Sequence, residues 1–176
     1  STLEPRKNLV SLIRAFELWQ AEAATPREKE LCLVMAGGKG WLWKEIFSAI
    51  ERSPVKNKIF PIGFVEKEEK KILYRLAEGF VYPSLFEGFG YPPLEAMASG
   101  VPLVASSGSS LDEVVGEAGI LVDPFRPFEI FLALKEILNS EELAEFYSRR
   151  GKKKAWEVFQ TEEKQTQSAL EKMKDF

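Results

Sequence analysis

The chain has 176 residues, of which 45% are hydrophobic and 29% charged, and its formal net charge is −3. That balance belongs to a globular chain of one ordinary domain, excludes global disorder and leaves no basic excess with which to hold a nucleic acid. Histidine is absent, which removes His-based triads, imidazole general bases and His–metal sites; the single cysteine, Cys32, excludes an intramolecular disulfide and suits a reducing, cytoplasmic setting. No apolar run nears the roughly 18–20 residues of a membrane span, and no signal peptide opens the sequence.

The elements alternate. In residues 8–23, Leu9, Leu12, Ile13, Phe16 and Trp19 recur at helical spacing. "LCLVMAGG" is a continuous apolar run stopped by glycines, which predicts a strand buried on both faces. "WLWKEIFSAIER" reads as a helix, "NKIFPIGFV" as a strand running into a loop, "EKEEKKILYRLA" as a helix with a charged face and "GFVYPSLF" as the next strand. "PLEAMASG" predicts a short helix closed by Gly100, followed by the strand "VPLVAS", a short helix "SLDEVVG" that Ser110 would cap, and the strand "GILVDP". From Pro127 onward three helical segments follow, "FEIFLALKEIL", "SEELAEFYSRRGKKKAWEVF" and "TEEKQTQSALEKMKDF". Strands alternating with helices predict one α/β domain over residues 1–176, a Rossmann-like parallel sheet with helices on both faces and a helical tail from about residue 125.

In such a sheet ligands bind outside the carboxyl ends of the strands, so the loops "STLEPRKN", "AGGKGW", "GFVEK", "SLFEGFGYPP" and "SSGSS" are the places to look for chemistry. The most informative is "EGFGYPPLE". Tyr91 and Pro92 each precede a proline and are expected to be extended, with Pro93 opening a helix. Leu94 and Glu95 would then offer unpaired N–H groups at a positive helix end, a ready phosphate site. Gly88 and Gly90 would let the main chain approach a ligand. Taken singly, Glu95 reads as a favourable acid in a first helical turn and Glu87 as a solvated loop carboxylate. Flanking the same glycine-rich turn, the two acids point to a ligand instead.

"EPRKN" places Arg6 and Lys7 at the start of the first helix, where the dipole disfavours cations; a fork and a point charge together suit a diphosphate. "AGGKGW" adds a third glycine-bearing loop, with Gly37, Gly38 and Gly40, that fits neither the dinucleotide-binding fingerprint nor a P-loop.

Taken together, residues 2–9, 36–41, 60–65, 81–106, 110–124 and the closing "RRGKKKAWEVF" resemble, in order and over nearly the whole chain, the C-terminal, donor-binding half of a GT-B retaining glycosyltransferase of the large family-four type. The Glu-x7-Glu segment in its EGFG-x-P-x-LEAMA context is the most specific part. The resemblance implies that Arg6 and Lys7 hold the donor diphosphate. It implies that Glu87 meets the transferred sugar beside its anomeric carbon, and that Gly88, Phe89 and Gly90 line the sugar and phosphate site through their N–H groups. Glu95 would accept both ribose hydroxyls, Phe64 and Val65 would meet the base, and Gly38, Ser84 and Leu94 would stand beside the phosphates or sugar.

The donor would be a nucleotide-diphospho-sugar, GDP- or UDP-linked, with GDP-mannose favoured by the "EPRKNL…GGKGW" pattern. No metal and no further cofactor is expected, because cations and helix N–H groups would neutralise the leaving diphosphate. The family has a complete strand just upstream of the basic pair and an N-terminal domain that binds the acceptor. The chain is therefore expected to be a fragment or a truncated product. Its full enzyme would take a glycan or lipid acceptor, with peripheral association at a membrane surface; the isolated piece would dimerise through its open sheet. Competing readings are a stand-alone nucleotide-sugar-binding module or subunit, a sugar-nucleotide epimerase of the same fold, and a glycosidase using Glu87 and Glu95 as an acid/base pair.

Overall fold

The computed structural model describes the backbone of residues 2–174 and the side chains up to residue 161. In chain order it contains α1 (Leu9–Glu22), α2 (Pro26–Glu30), β1 (Leu33–Ala36), α3 (Trp43–Arg52), β2 (Ile59–Gly63), α4 (Lys67–Leu76), β3 (Phe80–Tyr82), α5 (Tyr91–Ser99), β4 (Leu103–Ser106), α6 (Leu111–Val115), β5 (Ile120–Val122), α7 (Pro127–Leu138) and α8 (Glu141–Lys174). Single 3-10 turns cover Pro5–Lys7, Lys56–Lys58 and Gly116–Ala118.

All the strand pairings are parallel, as the alternation predicts, but the strands form two sheets rather than one: β1–β2 and β3–β4–β5. No described strand lies between β1 and β3. The two sheets are joined at their carboxyl ends by the chain's first residues. Leu3 donates its N–H to Gly38 O at 2.8 Å and accepts from Gly40 N–H at 3.0 Å, while Arg6 O accepts from Leu85 N–H at 2.8 Å. This places the Arg6–Lys7 turn beside the loop that follows β3.

Helices cover both faces. On one side α1, α3 and α7 bury Leu12, Ile13, Phe16, Trp19, Ile46, Ile50, Ile130, Phe131, Leu134 and Ile137 against Met35, Ile59, Val104 and Val122. On the other, Leu94 and Met97 of α5 and Leu111, Val114 and Val115 of α6 pack on Tyr82, Leu103 and Ala105. The strict alternation along β4, with Val104 to one layer and Leu103 and Ala105 to the other, is the side-chain period of a strand covered on both faces.

Four expectations need correction. Residues expected as a strand buried on both faces begin only at Leu33. Cys32 is exposed, and Val34 is 43% exposed, as are its neighbours Phe60 and Ile62 on β2 at 46% and 44%. The segment from 127 onward is helical, as expected, and packs on the rest of the domain: α7 supplies much of the larger core, and α8 lies so close to α5 that a Cβ on Gly151 would stand 3.3 Å from Met97. The two helices expected after Ser140 are one continuous helix to Lys174, with Asp175 and Phe176 outside the described residues. Ser110 makes no side-chain cap to α6. Finally, the short α2, with its Thr25–Glu28 capping box, lies in a stretch for which no element was expected.

Candidate functional site

The turn after β3 is organised around Glu87. Its side chain is only 10% exposed, and Oε1 receives three donors: Lys7 Nζ at 2.5 Å, Ser84 Oγ at 2.6 Å and Tyr82 Oη at 3.0 Å. Arg6 Nη1 reaches the other oxygen, Oε2, at 3.0 Å. Tyr82 also accepts from Lys7 Nζ at 2.7 Å, and the ammonium stands 4.9 Å from the centre of the Tyr82 ring. Lys7 is 6% exposed, so a buried cation and a nearly buried carboxylate are matched in one network.

The electrostatics follow from that packing. Burial alone would raise the Glu87 carboxyl, but hydrogen bonds from Lys7 and Ser84, the Lys7 charge and the Tyr82 hydroxyl outweigh it and hold Glu87 below the usual carboxylate range. Burial, reinforced by the Glu87 charge, pushes the Tyr82 phenol upward. Arg6 loses some solvent, which would lower it, yet its bonds and charge contacts with Glu87 and Glu4 raise it further. Glu4 takes Arg6 Nε at 3.1 Å and Nη2 at 2.7 Å, and Phe86 O takes Nη1 at 2.8 Å. Two acids, Glu4 and Glu87, thus balance two bases, Arg6 and Lys7.

Past Glu87 the chain turns through Gly88–Phe89–Gly90 into α5. The helix opens at Tyr91, two residues earlier than the prolines suggested, with Gly90 as N-cap at φ 106°. A glycine is required at this point: a Cβ would meet Leu111 Cδ2 at 2.7 Å, and the dihedral is left-handed. Because Pro92 and Pro93 carry no N–H and Leu94 N–H goes to Gly90 O at 3.4 Å, the expected free N–H groups of Leu94 and Glu95 are not available. The N–H groups of Gly88, Phe89, Gly90 and Tyr91 bond no other described residue; Gly88 and Tyr91 are exposed, Phe89 is half-buried and Gly90 is buried. Ser110 steadies this turn from behind: its hydroxyl lies 2.9 Å from Glu87 O and 3.0 Å from Phe89 O.

Glu95 sits one turn into α5, on the side facing α4. Its side chain is 35% exposed, with Lys70 Nζ at 2.5 Å from Oε1 and Tyr74 Oη at 3.2 Å from Oε2. Phe64, in the loop between β2 and α4, is 75% exposed, and Val65 beside it is half-buried.

The structure therefore brings Arg6, Lys7, Ser84 and Glu87 into one cluster and sets Gly88, Phe89 and Gly90 in the turn beside it. Leu94 is fully buried in the core beneath, and Gly38 spends its carbonyl on Leu3. Sequence reading missed Tyr82, Glu4, Lys70 and Tyr74. Nothing local marked Tyr82 as other than one more apolar strand residue. Lys70 and Tyr74, four apart in a predicted helix, carried a signal: they had to share a face.

Comparison with known proteins bears on the family and the fold. Residues 1–154 match the family described as glycosyl transferases group 1. The chain is 38% identical over 160 residues to O-antigen chain mannosyltransferase B of Escherichia coli, covering 89% of this chain and 41% of that protein. It is 42% identical over 95 residues to the MMP alpha-(1->4)-mannosyltransferase of Mycolicibacterium hassiacum, covering 52% of this chain and 23% of that one. The chain thus spans well under half the length of these curated relatives. Among solved structures, it superposes on HepE of Anabaena in complex with UDP and glucose with a TM-score of 0.84 at 22% identity, over 98% of this chain and 47% of that one. It matches the C-terminal domain of a Francisella tularensis glycosyl transferase group 1 family protein with a TM-score of 0.77 at 23% identity, over 90% and 82%. The parallel α/β architecture flanked by helices is the one expected, and the solved structures it matches are glycosyltransferases of the GT-B fold, of which it covers only part. With a family match running from the basic turn through both acids and into α8, the chain belongs to the glycosyl transferases group 1 family.

Proposed function

We propose that this chain is the donor-binding part of a retaining hexosyltransferase, that it binds a nucleoside diphosphate sugar without a divalent metal, and that mannose from GDP-mannose is its favoured donor. The observation that carries the reading is the run of N–H groups from Gly88 to Tyr91 that bond no other described residue, set between Glu87, clasped by two cations, and Glu95, whose carboxylate is partly open. Amide donors at a helix start suit a diphosphate, and a carboxylate one turn further on suits the vicinal diol of a ribose.

In this reading the leaving diphosphate is received by the turn's amides and by Arg6, whose side chain is 41% exposed and whose fork is partly occupied by Glu4. A phosphate oxygen replaces Glu4 there, so two anions exchange on one guanidinium and no new charge is buried. Lys7 is too buried to be a free surface cation. It reinforces the site's positive potential and holds Glu87 toward the sugar hydroxyls. Phe64 offers an exposed ring to the base. Retention of configuration comes from the family resemblance, not from a distance in this site. The mannosyltransferase relatives support mannose, and the UDP complex of HepE keeps UDP-sugars as the alternative. The acceptor is assigned to chain beyond these 176 residues, since the relatives are more than twice as long.

The test is a thermal-shift and calorimetric panel of GDP, UDP and ADP in EDTA. One diphosphate should protect the protein by about 2.7 kcal/mol at a hundredfold excess over Kd. Absence of protection by any of them, with the domain well folded, overturns the reading; protection that appears only with magnesium overturns its metal-free part.

A further inference from the structure

Both oxygens of Glu95 are engaged from a single neighbouring helix. Lys70 holds Oε1 at 2.5 Å and Tyr74 donates to Oε2 at 3.2 Å. The two donors are four residues apart in α4, so they project from one face of it. The Tyr74 hydroxyl also lies 3.3 Å from Pro92 O, in the first turn of α5, so its single proton is shared between that carbonyl and the slightly nearer, charged Oε2. Tyr74 is buried at 9% exposure, and its ring meets Phe80 of β3 edge-on with centroids 5.4 Å apart. The clamp is therefore anchored in the core at one end and open to solvent at the other.

Stability does not explain this arrangement. The Lys70 and Glu95 side chains are 37% and 35% exposed, and an ion pair that open to water adds little to folding. What two donors on two oxygens do accomplish is orientation. A carboxylate held at one oxygen rotates about its last bond; held at both, its plane is set. Each oxygen has two acceptor sites, so one per oxygen remains for a ligand. Two outward lone pairs in a fixed plane match the two hydroxyls of a vicinal diol. Burial, with the Glu95 charge behind it, pushes the Tyr74 phenol upward, so it remains a donor through neutral pH.

We propose that Lys70 and Tyr74 are positioning residues that set the Glu95 carboxylate for a ribose diol, so that preference for ribonucleotides over dideoxyribonucleotides is built into α4 as well as into Glu95. The inference rests on the reading of Glu95 as the ribose acceptor. It concerns a residue pair that touches no ligand in that reading and acts only through Glu95.

The experiment measures Kd for GDP, UDP and their 2′,3′-dideoxy counterparts on the wild-type chain, Glu95→Gln, Lys70→Met, Lys70→Arg and Tyr74→Phe, with melting temperatures alongside. Glu95→Gln should cut the ribo-over-dideoxy preference by roughly tenfold or more, and Lys70→Met by roughly threefold to tenfold, with most of it restored in Lys70→Arg. Tyr74→Phe should lower the preference in the same sense. If Glu95→Gln collapses the preference while Lys70→Met and Tyr74→Phe leave it intact, the positioning role is wrong and the ribose reading stands. Equal weakening of both nucleotide forms in Lys70→Met, which is what a direct phosphate contact or a general structural role produces, also overturns the proposal. If Glu95→Gln leaves the preference unchanged, or neither diphosphate binds, the underlying reading fails and the clamp falls with it.

Discussion

The side chain of Glu87 is 10% exposed and meets four donors; that of Glu95, eight positions later across one turn, is 35% exposed and meets two. The donors of Glu87 come from the first residues of the chain and from β3 and its loop, those of Glu95 from one face of α4. The first acid is part of what joins the chain's opening turn to the β3–β4–β5 sheet. The second lies between two helices on the surface, where its ion pair keeps much of its water. The same residue type at the same turn thus contributes unequally to stability, because a carboxylate's contribution depends on how much water it keeps.

The largest expected effect tests the buried member. Glu87→Ala leaves Lys7 without its counter-ion at 6% exposure and should cost about 3–5 kcal/mol of unfolding free energy in urea titrations, whereas Glu95→Ala should cost no more than about 1 kcal/mol. Equal losses would erase the distinction. Next in size, Tyr82→Phe keeps the ring under the Lys7 ammonium but removes the hydroxyl shared by Lys7 and Glu87. A loss of about 1.5–3 kcal/mol is expected, measured the same way, and a change near zero would show that Lys7 and Ser84 satisfy Glu87 by themselves.

The smallest effect sharpens the comparison through pH. Glu87 is held below its ordinary value of 4.5, so its stabilisation is fully present above that value and is lost as the pH falls from there through the folded-state value. The gap in stability between the wild type and Glu87→Gln should therefore narrow as the pH drops below 4.5. Glu28, held at about 2 by the backbone N–H and hydroxyl of Thr25 and by the Ala24 N–H, titrates in the same direction in both proteins, so the subtraction isolates Glu87. A gap that stays constant down to pH 3 would show that the Glu87 network gives no preference to the ionised form.

Much of this could be read before any coordinates. Apolar runs alternating with amphipathic stretches dictate parallel strands with helices between them, and Gly100 does close α5 in the left-handed conformation that its place after "LEAMAS" requires. The glycine–proline turn with an acid at each end was legible as a candidate site, because few local structures need φ > 0, two residues without N–H and a carboxylate on either side. Those features are local, and chemistry confined to a few neighbouring residues is legible in their order. The start of α5 at Tyr91 was not, since the prolines enter the first turn despite the intrinsic bias of the residue before each one.

The fate of each acid was decided only by the fold. Lys7 and Glu87 are 80 residues apart, Lys7 and Tyr82 are 75 apart, and Lys70 and Glu95 are 25 apart. Sequence by itself determined that two carboxylates would flank one glycine–proline turn. Which of them loses its water depends on the opening turn docking beside β3, and which is oriented by a neighbour depends on α4 lying against α5. Burial is a property of elements brought together across the chain, and the desolvation that separates a buried carboxylate from a partly exposed one has no local signature.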